Sequence, residues 1–133
     1  MTQQDLLHIA TSRYQEAKIL LENGKPEGSM YLCGYALELM LKRRILKLLE
    51  WDEYPESDKR YTSFKIHDLN VLLRLAGLEK KIKIDPVVYL HWQVASQNWS
   101  VNMRYENTGN SLSVNARDMI SGSKVVLSYL KDI

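Results

Sequence analysis

The chain has 133 residues, a length that suits one domain around one core. Hydrophobic residues make up 45% and charged residues 26%, which excludes a disordered chain, and no apolar run reaches the ~20 residues of a membrane span. Eighteen basic and sixteen acidic side chains leave a net charge of +2, too even to imply nucleic acid, so any electrostatic partner must come from local clusters. The opening from Met1 to Asp5 has no basic-then-apolar leader, and the single cysteine, Cys33, sits in an apolar run. Both point to a cytoplasmic protein in a reducing compartment, with Cys33 a small buried hydrophobe or, alternatively, a reactive thiol.

Leu6 or Leu7, Ala10, Tyr14, Ala17 and Leu21 recur at three- and four-residue intervals, one face of a first amphipathic helix that Asn23 and Gly24 end. Pro26 and Glu27 open a second helix, which runs to about Leu49 and is apolar over too wide an arc for a surface helix, so it is expected at the centre. From Trp51 to Ser63 the pattern breaks into polar and turn-forming residues, and a long exposed loop is expected there, in which Tyr54 and Tyr61 either suit an interface or fold the loop back onto the bundle. Leu69, Leu72, Leu73 and Ala76 signal a short third helix, with Gly77 placed as a left-handed cap. Asp85 and Pro86 start a fourth, along which Val88, Trp92, Ala95 and Trp99 repeat at helical spacing. After a break over residues 107–111, the last helix carries Leu112, Ala116, Met119 or Ile120, Val126 or Leu127, and Leu130. No alternating strand pattern, internal repeat or low-complexity tract appears. The expected architecture is all-α, an up-and-down bundle of four to five helices forming a single domain over residues 1–133.

Glu38 lies in the middle of the most apolar run, Tyr31 to Leu46. Ionised and unpaired there, it would cost several kcal/mol, so the chain should aim a cation or donors at it. Arg104 is the expected partner, and Lys42, four residues on from Glu38, shares its helix face and can pair with it directly. The same groups admit two readings: a buried polar network that fixes the helix arrangement, or a cleft in which Arg104 and Lys42 offer donors to a phosphate and Tyr105 a hydroxyl or stacking face.

Three stretches, Gly34 to Lys42 with Glu38 inside it, His67-Asp68-Leu69 followed by Val71 to Leu73, and Trp99 to Arg104 and Tyr105, resemble in their order and separation the HEPN (higher eukaryotes and prokaryotes nucleotide-binding) superfamily. The resemblance covers roughly Leu6 to Leu130. It implies a helical bundle, commonly a homodimer, often in prokaryotic toxin–antitoxin or defence systems beside a minimal nucleotidyltransferase. Many members are metal-independent ribonucleases marked by an arginine followed, after four to six residues, by a histidine. The positions so spaced from Arg104 are Gly109, Asn110 and Ser111, and the last histidine of the chain is His91. RNA cleavage through the 2′-hydroxyl needs groups that exchange protons near neutral pH, which an asparagine does not do.

The remaining candidates are local. His67 and Asp68 stand where a third helix begins, with capping and binding both open to them. Arg43, Arg44 and Lys47 form a basic cluster that matches the negative end of the second helix or offers a patch to RNA or an acidic partner. Three scattered histidines and one cysteine have no metal-ligand spacing, no glycine-rich phosphate loop is present, and no cofactor is implied. The reading is a HEPN-like interaction module without the usual ribonuclease site, homodimeric or bound to a nucleotidyltransferase-like protein. The alternatives are a divergent ribonuclease using Arg104, Tyr105 and His67 or His91, and a non-catalytic nucleotide or RNA binder using Arg104 and Lys42.

Overall fold

The computed structural model describes residues 1–55, 66–105 and 113–133, with the side chains of Arg104 and Tyr105 also outside the description. The described residues form six α-helices: α1 (Gln3–Glu22), α2 (Pro26–Leu49), α3 (Leu69–Leu75), α4 (Glu79–Ile82), α5 (Pro86–Gln97) and α6 (Ser113–Asp132). A 3-10 turn over Val101–Tyr105 follows α5. The all-α bundle expected from periodicity is what forms. α4 is an addition, a single turn too short for any periodicity to register.

Several helices begin or end for local reasons. Thr2 caps α1 through a reciprocal pair with Asp5, in which the Asp5 amide donates to Thr2 Oγ1 at 3.1 Å and the Thr2 amide to Asp5 Oδ2 at 2.9 Å. Those bonds hold the Asp5 carboxyl below the usual carboxylate range. Asp68 accepts from the Asn70 and Val71 amides at the head of α3, and Asp85 accepts from Val88 at the head of α5, with Pro86 behind it. Gly77, at φ 71°, ends the α3 turn as a left-handed cap. α5 stops before Trp99 because Asn98 Nδ2 donates to the Val94 carbonyl at 2.7 Å. Trp99 is nevertheless buried.

α2 is the axis of the molecule. From Met30 through Leu46 its residues are buried or half-buried, with α1, α3 and α6 packed around it. α5 packs on α6. Buried polar groups tie these layers at defined points: Ser29 Oγ donates to the Ala17 carbonyl at 2.6 Å, Tyr14 Oη to Ile120 at 3.0 Å, Trp99 Nε1 to Tyr31 at 3.0 Å and Trp92 Nε1 to Asn70 Oδ1 at 3.2 Å. Trp99 lies flat on Gly34, where any Cβ would run into the indole ring. His91 presses on Gly122 in the same way, bringing α5 and α6 together.

The loop expected to be exposed from Trp51 is folded back where it is described. The Tyr54 amide donates to the Met1 carbonyl at 2.9 Å, Glu53 bridges to Thr2, and the Tyr54 side chain is only 6% exposed. Polar composition misled here because a tyrosine buries an apolar ring while keeping a polar tip. The rest of that stretch, and the expected Leu112 contact, lie outside the described residues.

Candidate functional site

Glu38 projects from α2 into the core and is 1% exposed. Each of its oxygens has a partner. Lys42, one helical turn on, brings Nζ to 3.1 Å from Oε2, and His67, in the segment before α3, brings Nδ1 to 3.0 Å from Oε1. Lys42 is itself 9% exposed, and its ammonium stands 5.2 Å from the centre of the Tyr54 ring. A buried carboxylate, a buried ammonium and an aromatic face thus close on one another, as buried charges must. Burial first, and the Glu38 charge second, push the Tyr54 hydroxyl up to about 12 and raise that of Tyr35 as well.

His67 Nδ1 faces Glu38 Oε1, and with Nδ1 as the donor of that hydrogen bond, Nε2 of a neutral ring carries the lone pair. A carboxylate behind Nδ1 is also how enzymes orient a general base. The side chain is 50% exposed and borders a cleft of 260 Å³ together with Asp68, Asn70, Ser96, Trp99 and Ser100. The arrangement can therefore hold an imidazole in one orientation at the mouth of a polar cleft.

The structure brings Glu38, Lys42 and His67 into one cluster. The expected Glu38–Arg104 pair and the role of Tyr105 lie outside the described residues, although both sit on the 3-10 turn that follows Trp99. Arg43 is half-buried, while Arg44 Nη1 and Lys47 Nζ donate to the main-chain oxygen of Ile133 at 3.3 and 2.8 Å, tying α2 to the end of α6. Tyr54 enters the cluster by the fold-back that was one of its two expected roles, whereas Tyr35, Ser96 and Ser100 enter the cluster or its cleft without having been singled out. The only sequence signal for Tyr35 is the excess of eight Tyr over one Phe. Cys33 is fully buried, and desolvation lifts its thiol to about 12 against a small opposing pull from Ser123.

Among the described residues, no group of three or more His, Cys, Asp or Glu is placed to hold a metal ion, and no helix is long and apolar enough to cross a membrane. A comparison with curated proteins gave no match, and neither did one with solved structures. The family model of the HEPN domain matches residues 3–133, nearly the whole chain. The chain belongs to the HEPN domain family.

Proposed function

We propose that this HEPN domain is a cytoplasmic interaction module of a prokaryotic toxin–antitoxin or defence-type system. In this reading it works as a homodimer or in complex with a nucleotidyltransferase-like protein, and without the usual ribonuclease site. The observation that carries the reading is the closure of Glu38 by donors of its own chain, which leaves this buried charge engaged with Lys42 and His67. The lack of a histidine at positions 109–111, four to six intervening residues beyond Arg104, supports it. The partner and the cellular setting rest on family analogy. Light scattering at high protein concentration tests the dimer, and a monomer mass overturns it. Incubation with tRNA and mixed RNA tests the missing activity: cleavage that an Arg104→Ala variant loses would replace the module with an enzyme.

The half-exposed His67, backed by Glu38, favours that second reading, a divergent ribonuclease with His67 as proton acceptor. It calls for His67→Ala to abolish cleavage while Asp68→Asn spares it. The binder alternative finds Lys42 committed to Glu38 and the Tyr54 face, which leaves little of it for a ligand from solvent. A thermal shift with millimolar ATP, GTP or short RNA would restore that alternative.

A further inference from the structure

α1 and α6 both lie on α2 and touch each other only lightly, so a groove runs between them. Its floor is apolar, with Leu7 and Leu127 half-buried over the buried Ala10, Tyr14 and Met40, and Thr11, Gln15 and Ser128 stand at its edges. The cavity that opens there measures 210 Å³. That is below the roughly 300–1,000 Å³ of small-molecule sites and suits a single anchoring side chain.

The rim has one sign of charge. Lys124 and Lys131 line the groove seven residues apart on α6, and Arg117 stands a further seven residues back on the same stripe. All three are exposed, and among the described residues none of them has a carboxylate within ion-pair distance. On the α1 side, Lys18 stands 5.7 Å from the centre of the Tyr14 ring.

We propose that this groove receives an amphipathic helix of a partner protein, with an apolar face for the floor and Asp or Glu along its flank. A helix laid along α6 would meet the basic row once every two turns, at the seven-residue interval of its own repeat. A second copy presenting this same face would set basic rim against basic rim. RNA would use the row and leave the apolar floor uncovered. This inference rests on the interaction-module reading and gives the partner a chemistry.

Two fluorescein-labelled synthetic helices of about 20 residues, with the same leucine face and either Glu or Lys flanks, provide the test by anisotropy with the full chain. The Glu-flanked peptide is expected to bind and the Lys-flanked one not. The double variant Lys124→Glu/Lys131→Glu is expected to weaken binding about tenfold, and added salt to weaken it in the unmodified chain. Thr11→Trp, which fills the groove from an exposed position, is expected to block binding with unchanged helicity by circular dichroism. Equal affinity for the two peptides, no binding of the Glu-flanked one, or binding that survives both variants would overturn the proposal. So would single-stranded RNA that binds through the same lysines while the peptide does not. A dimer that binds no peptide sinks the groove and leaves the module standing, whereas a monomer that binds it removes the dimer and keeps the groove.

Discussion

The Glu38 cluster and the α1–α6 groove invert each other. In the first, charge is buried and every partner comes from the chain itself. In the second, a small apolar-floored groove opens to solvent beside Lys124 and Lys131, which have no acidic partner among the described residues. A self-satisfied buried network specifies how helices sit together, whereas an unsatisfied surface specifies what must still arrive. The difference separates what holds this fold from what the fold offers to another molecule.

The largest test of that contrast is Glu38→Ala, which strands the buried Lys42 ammonium. A loss of about 3–5 kcal/mol in urea unfolding is expected, with Glu38→Gln intermediate. If Glu38→Gln instead leaves stability unchanged and alters RNA or nucleotide binding, the cluster is a ligand site and the contrast breaks. Gly34→Ala, which drives a methyl into the Trp99 ring, is expected to lose about 1–3 kcal/mol by the same measurement.

Alkali probes the buried side more gently. Burial raises Tyr14, Tyr54 and Cys33 to about 12 from ordinary values of 10, 10 and 9. Above pH 9 to 10 the unfolded chain therefore releases protons that the folded chain keeps. Stability is expected to fall as pH rises from there toward 12, as chemical denaturation at stepped pH would show. At pH 8 the folded protein should leave a thiol reagent unconsumed until denaturant is added. The smallest effect belongs to the groove, where Lys124→Glu/Lys131→Glu should stay within about 0.5 kcal/mol of the parent in stability. A large loss there would make the basic row part of the scaffold.

How much of this could be read from the sequence follows the same division. The helices were legible because their apolar spacing and their caps, Asp68, Gly77 and Asp85, are local features. Glu38 was legible as an anomaly, and Lys42 as its neighbour one turn on. His67 as a direct partner was not, because a separation of 29 positions hides a contact that only the packing of α3 on α2 creates. The fold-back of Tyr54 was legible as one alternative, but its place over Lys42 was not, for the same reason. The groove leaves no mark at all in a single helix: its floor comes from three elements, and its basic row looks on α6 like any solvated face.

The seating of Trp99 on Gly34 gives the molecule a spectroscopic handle. The indole is buried, with its nitrogen bonded to the Tyr31 carbonyl, while Trp51 is partly exposed, so the tryptophans differ in their access to quencher. In a Trp51→Phe background, acrylamide quenching would come from Trp92 and Trp99 alone. Release of the segment after α5 would then be visible as a change in emission, without any label, while the rest of the bundle stayed folded.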